Sequence, residues 1–170
     1  MTLNITIVHP HFIVQASDRR FTNAVTHEVL GDSANKAIVM RCADALLSIT
    51  FTGIGTFPAG SSAQRMDWWL AESLLEACMP ELTADEVLRH ISERSTSLFE
   101  ELRHTLRPEI NLRHAFVVAG WDVANPARPT ARAWVITNAK KSAAGSGVEI
   151  SNTFETTDEF VGLGNRSPVF

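Results

Sequence analysis

Two short alternating segments joined by a proline turn constrain this chain more than any other feature. The opening run LNITIV alternates apolar and polar side chains, which is the two-residue period of a β-strand. Pro10 suits the second position of a turn, and residues 12–17 (FIVQAS) form a second candidate strand. The chain is therefore predicted to open with a β-hairpin.

The centre of this hairpin determines its register. With Pro10 and His11 at the turn, the numbers of paired residues sum to about 21. Thr2 is therefore expected to lie alongside Asp18 and Arg19. The hairpin thus brings the start of the chain close to the residues that follow its second strand.

The remaining pattern predicts an α+β protein with antiparallel sheets. The elements come in the order four strands, two helices, four strands. Thr83 and Glu86 form a capping box at the start of the second helix, and the run FPAGSSAQR is predicted to be a loop. Residues 1–170 are expected to form one domain, with strands within 2–55 and 114–164 and helices at 67–79 and 84–107; the last candidate strands are 148–154 and 159–164.

Composition and charge exclude several classes of protein. The net charge of −4 gives no reason to expect nucleic acid or an anionic membrane as a partner. Cys42 and Cys78 are too few for a disulfide framework. No segment is long and apolar enough to span a bilayer, and the first residues lack the basic leader of a signal peptide. A cytoplasmic location is the resulting expectation.

One group of residues could carry chemistry if Met1 is removed. Thr2 would then hold a hydroxyl and a free amine, whose reference pKa near 7.7–8.0 lets it act as a base. A neighbouring Lys36 ammonium would lower the pKa of that amine, and Asp18 would hold the lysine in place. The turn at 51–55 (FTGIG) could supply backbone amides to an oxyanion. Each part alone has a plainer interpretation as a turn or a surface charge.

Several fragments together resemble the proteasome β-subunit and HslV group of N-terminal nucleophile hydrolases. The fragments are MTLNITIV, FIVQASDRRFT, NKAIVM, FTGIG and FVVAGWD, and the resemblance covers residues 2–55 and 115–137. It implies a four-layer αββα sandwich of antiparallel sheets, complete or with one helical layer incomplete. It also implies threonine-type hydrolysis of a peptide or small amide, with no cofactor and no metal.

The resemblance assigns roles to residues by their position in the family pattern. Thr2 would be the nucleophile and, through its amine, the base; Lys36 would tune the pKa; Asp18 would orient Lys36; Gly53 would donate to the oxyanion. The positions matched to substrate binding are Arg20, Thr22 and Gly55.

Two departures from the family leave other functions open. The stretch from Lys36 to Gly53 is about three residues longer than usual, and the family's C-terminal helices, with their Asp and Ser, have no match. One alternative is a catalytically inactive proteasome-like subunit with a structural or assembly role, and another is an unrelated α+β binding module. Since two adjacent helices would cover only one sheet, we also expect a homo-oligomer or docking to a second proteasome-like chain.

Overall fold

The computed structural model describes residues 4–22, 28–77, 81–108, 110–141 and 148–158. Thr2, Cys78 and the predicted strand at 159–164 lie outside these ranges. The elements, in chain order, are β1 (Asn4–His9), β2 (Phe12–Ser17), β3 (Phe21–Thr22), β4 (Val29–Gly31), β5 (Ala37–Arg41), β6 (Ala45–Thr52), β7 (Thr56–Ala59), β8 (Ser62–Arg65), α1 (Met66–Ala77), α2 (Ala84–Thr105), β9 (Ala115–Asp122), β10 (Thr130–Lys141) and β11 (Val148–Thr157).

The opening hairpin has the register that the sequence predicts. Strands β1 and β2 are antiparallel, with Asn4 opposite Ser17 and His9 opposite Phe12, so paired numbers sum to 21. The hairpin prediction is confirmed. The expected position of Thr2 beside Asp18 lies outside the described residues and stays a prediction.

A five-stranded antiparallel sheet in the order β11-β10-β9-β6-β5 forms the centre of the molecule. Alternate positions of β6, including Leu47, Ile49 and Phe51, are at most 1% exposed on one face. Both helices pack against that face: the Trp69 ring of α1 lies 6.3 Å from Phe116 of β9, and α2 contacts β10 and β11. Burial of this apolar face supplies the main stabilisation of the fold.

The opposite face of the central sheet is covered by the β1–β2 hairpin, and a polar side chain makes the junction. The Gln15 amide donates to the Val117 carbonyl oxygen at 2.9 Å, and the Ser48 hydroxyl donates to the Gln15 amide oxygen at 2.6 Å. The layers are therefore a pair of helices, the central sheet and a two-stranded hairpin.

The prediction of a four-layer αββα sandwich is wrong. The described residues contain about twice as much β-strand as helix, their two helices lie on the same face of the central sheet, and the opposite layer is one hairpin. The cause lies in the order of the elements. The helical residues form one block of the sequence, 66–105, and its two helices are joined by a short connection. Both helices therefore pack against one face of the sheet, and the rest of the described chain has strand periodicity.

The two helices lie close to the ranges expected from periodicity. Helix α1 begins one residue earlier than predicted, at Met66, and α2 begins at Ala84. The capping box is confirmed: the Thr83 hydroxyl accepts from the Glu86 amide, and the Glu86 carboxylate accepts from the Thr83 amide at 2.8 Å. No helix in the described ranges combines the length and the apolar composition that crossing a membrane requires.

The predicted loop FPAGSSAQR is wrong, because these residues form most of the β7–β8 hairpin. Gly60 adopts a φ of +60° at its turn, a conformation that glycine enters without steric cost. Phe57 of β7 is buried, which anchors the hairpin to the core.

His114 is a buried histidine inside an aromatic cluster. Its ring is fully buried and lies 4.7–6.3 Å from the rings of Phe51, Phe99, Phe116 and Phe154. Neither ring nitrogen has a hydrogen-bond partner among the described residues. Burial lowers the pKa of His114 from 6.5 to about 3, so the imidazole is neutral in the folded protein.

This histidine predicts an acid-dependent loss of stability. Between pH 6.5 and about 3 the unfolded chain binds a proton at His114 that the folded protein does not, so the free energy of unfolding falls as pH falls. From pH 7 to pH 5 the loss is about 2 kcal/mol, and it should be missing in His114→Leu. Urea denaturation of both proteins at the two pH values measures it. Equal pH slopes in the two proteins would contradict the assignment.

Candidate functional site

A buried lysine forms the centre of the candidate site. Lys36 is 3% exposed and lies immediately before β5. Its ammonium donates to a carboxylate oxygen of Asp18 at 2.6 Å and to the carbonyl oxygen of Arg20 at 2.5 Å. The ring of Phe21 lies 5.4 Å from the same nitrogen. A buried ammonium is costly unless it is paired and hydrogen-bonded, and these contacts meet that requirement.

The topology explains why these residues meet. Asp18 follows directly after β2, so the packing of the hairpin on the central sheet determines its position. Ala37 pairs with Thr50, so the start of β5 and the end of β6 lie at the same end of these two antiparallel strands. Gly53 follows β6 at this end. The structure therefore brings Asp18 and Lys36 together at one end of the central sheet, where the glycine turn also begins.

Gly53 has two physical reasons to be glycine. Its φ is +120°, a conformation that other residues rarely adopt. A Cβ atom here would lie 2.6 Å from Nδ1 of His114 and would also collide with the Arg113 carbonyl oxygen. The turn therefore packs against Arg113 and His114, the two residues immediately before β9. This packing holds the Gly53 backbone rigidly, and its oxyanion role stays a prediction.

Gly55 makes room for an aromatic ring. A Cβ atom at this position would collide with the ring of Phe21, and the carbonyl oxygen of Gly55 accepts from the Met66 amide at 2.9 Å. The residue predicted to bind substrate is therefore in contact with the ring that lies over Lys36.

The other two predicted substrate-binding residues lie nearby along the chain. The side chain of Arg20 forms an ion pair with Asp32 at 2.9 Å, and both side chains are more than half exposed. Arg20 thus reaches Lys36 through its carbonyl oxygen. Thr22 ends β3 and pairs with Val29 of β4.

Further contacts, which sequence reasoning missed, hold the segment before Lys36. The amide of Ala34 donates to the carbonyl oxygen of Arg19 at 3.1 Å. The guanidinium of Arg19 donates back to the carbonyl oxygen of Ala34 at 3.2 Å. Ala34 is fully buried. The segment that carries Asp18 is therefore joined to the segment that carries Lys36 by backbone as well as by side chains.

The start of helix α1 supplies a second set of contacts to the same segment. A carboxylate oxygen of Asp67 accepts from the Asn35 amide at 2.9 Å. Arg65 pairs with Asp67 at 2.5 Å and also donates to the carbonyl oxygen of Ser33. In the sequence, these contacts are indicated only by Arg65 and Asp67, which lie two positions apart at a predicted helix start. An acidic residue there is common at helix N-termini.

The electrostatics of Asp67 favour its charged form. Burial acts to raise the pKa of this carboxyl, but the hydrogen bonds from Arg65 and from the Asn35 amide outweigh burial. The pKa of Asp67 therefore lies below its ordinary value. A charged Asp67 holds the backbone segment that precedes Lys36 in one position.

A separate groove of about 750 Å³ lies between α2, β10 and β11. Its walls include Trp134 and Phe154, and the guanidinium of Arg132 lies 5.0 Å from the Trp134 ring. None of the predicted site residues within the described ranges lines it. Because β11 and β5 are opposite edges of the sheet, the groove and the lysine site are separated by the width of the sheet.

The described side chains offer no obvious place for a metal ion. Within the part of the chain that the structure describes, no three His, Cys, Asp or Glu residues come close enough together to hold one. The groups that the described residues bring to the lysine site are an ammonium, a carboxylate and backbone amides.

Comparison with known proteins assigns no family. No family model matches the chain, and neither does any curated protein or solved structure. The chemistry of the site is accordingly inferred from the residues that form it.

The Asp67 contacts predict a specific loss of stability. Asp67→Ala removes the acceptor of the Asn35 amide and the partner of Arg65, so the free energy of unfolding should fall by about 1–3 kcal/mol. Asp67→Asn keeps an acceptor oxygen and should lose less. Asp32→Ala, which removes an exposed ion pair, is the matched control and should change stability by less than about 0.5 kcal/mol. Urea denaturation at pH 7 compares them, and equal losses in Asp67→Ala and Asp32→Ala would contradict the role of Asp67.

Proposed function

We propose that this protein is a threonine-type amide hydrolase that acts on peptides or small amides. Its nucleophile is Thr2, after cleavage of the bond between Met1 and Thr2. The observation that carries the proposal is the buried ammonium of Lys36. Its nitrogen lies 2.6 Å from a carboxylate oxygen of Asp18, the residue that directly follows β2.

Chain connectivity supports a place for Thr2 near this pair. Asn4 lies opposite Ser17, and Asp18 is the next residue along. Two residues of extended chain span at most about 7 Å, and continuation of the register would bring Thr2 opposite Arg19 and next to Asp18. The proposal therefore places the threonine within a short reach of the Asp18–Lys36 pair.

The proposed reaction uses groups on this chain, the amide substrate and one water molecule. The Thr2 amine takes the proton of the Thr2 hydroxyl while its oxygen attacks the amide carbonyl carbon. The carbon–nitrogen bond then breaks, the leaving amine takes the proton, and an ester to Thr2 remains. Water attacks that ester, which releases the acid and restores the hydroxyl.

Lys36 supports this reaction through its charge. A positive charge close to the Thr2 amine would favour the unprotonated amine, which is the form that accepts a proton. Because Lys36 is buried, its field is weakly screened by water. Asp18 holds the ammonium in one position, and the rigid Gly53 turn offers a backbone amide for the developing oxyanion.

The first prediction of this proposal concerns the amino terminus. Protein from its native host should have an intact mass that corresponds to a chain beginning at Thr2. Periodate should then oxidise that chain, because it cleaves the bond between carbons that bear a hydroxyl and a free amine. The Thr2→Ala variant should resist periodate. Retention of Met1 would rule out the mechanism and leave a non-catalytic, structural role.

The second prediction concerns the rate of amide hydrolysis. With fluorogenic peptide amides as substrates, Thr2→Ala should abolish turnover, and Lys36→Met should lower kcat by about 10²–10⁴-fold while it keeps the side-chain volume. Lys140→Met is the matched control, because Lys140 is an exposed lysine paired with Glu155, and its kcat should stay unchanged. A fully active Thr2→Ala variant would contradict the assignment.

A further inference from the structure

The outward side of the β1–β2 hairpin is an apolar surface that the described residues leave uncovered. Ile5, Ile7, Phe12 and Val14 project from it and are 47–49% exposed. Ile7 and Val14 are cross-strand partners, so the side chains form a continuous patch. We refer to these four residues as the outer hairpin face.

The polarity of the hairpin is the reverse of that in an ordinary two-layer arrangement. Its inward side carries four polar residues, Asn4, Thr6, Gln15 and Ser17, and two apolar ones, Val8 and Ile13. Gln15 makes the hydrogen bonds to the central sheet. Antiparallel strands usually turn apolar residues to the core and polar residues to water. A hairpin with its apolar side outward is typical of a layer that lies between two others.

The hairpin also lacks the features that protect exposed strands. Residues 4–17 contain no Asp, Glu, Lys or Arg. Strands β1 and β2 pair only with each other within the described ranges, so each has an outer edge without a strand partner. Monomeric proteins usually place charges on such strands to prevent association.

The size of the patch fits a weak dimer interface. Each of its four side chains exposes about half of the roughly 200 Å² that a large apolar side chain can present, which makes about 400 Å² per copy. His9 and Ala16, which are exposed on the same side, bring the total for two copies to about 1,000 Å², the lower limit for a specific interface.

We infer that the outer hairpin face binds a second copy of this chain, face to face about a two-fold axis. A two-fold contact places the same patch on both partners, so the patch must suit itself. The four apolar side chains of the outer hairpin face do so, because they carry no charge that would repel the other copy or select a charged partner. The interface does not depend on the proposed hydrolase activity.

The test is sedimentation equilibrium of the full chain between about 1 and 100 µM, a range that covers weak dimers. Wild-type protein should approach twice the 18.7 kDa chain mass at the upper concentrations. The double variant Ile7→Lys, Val14→Lys should remain at 18.7 kDa, because the new charges face each other across the axis. Leu75→Lys is the matched control: Leu75 is a 73% exposed residue of α1, outside the patch, and its variant should associate like wild type.

A second variant separates loss of association from loss of folding. Ile7→Thr with Val14→Thr keeps the β-branched shape that strands favour and should weaken the dimer at least about 10-fold, with an unchanged far-UV circular dichroism spectrum. Hydrogen exchange of wild-type protein should slow in residues 4–17 as concentration rises. A wild-type chain that stays monomeric at about 100 µM, or a dimer that the threonine variant leaves intact, would overturn the inference.

Discussion

The burial of one ammonium group connects the separate parts of this structure. Lys36 is almost fully removed from water, so its charge requires partners, and it finds them in the Asp18 carboxylate and the Arg20 carbonyl oxygen. Asp18 belongs to the end of the opening hairpin, whereas Lys36 begins a strand of the central sheet. The ion pair therefore fixes the hairpin relative to the sheet, and Phe21 and Gly55 pack around it.

The site lies where all three layers of the molecule meet. The hairpin provides Asp18, the sheet provides Lys36, and the start of helix α1 provides Asp67, which holds the backbone in front of the lysine. Because each layer supplies one contact, small shifts of a layer would move the charges relative to each other. In the proposed mechanism the ammonium acts on a nearby amine, and the contacts from three layers would hold it in the position that this requires.

The hairpin has a different environment on each side. Its polar side is bonded to the central sheet through Gln15, and its apolar side is left half exposed. Since Asp18 follows directly after β2, anything that packs on the apolar side also restrains the segment that holds Lys36. The proposed association would in this way be physically coupled to the geometry of the lysine site. The groove lies at the opposite edge strand of the sheet, away from both.

The sequence by itself determined the local features: the hairpin register, the positions of both helices and the Thr83 capping box depend on periodicity and on residues a few positions apart. The family resemblance also implied an Asp18–Lys36 pair, and the structure brings these two residues together. Only the tertiary structure decided the number of layers and the contact of Arg65 and Asp67 with residues 33–35. Both features depend on contacts between residues that lie 30 or more positions apart in the chain. A contact with such a distant partner leaves no periodic pattern in the sequence.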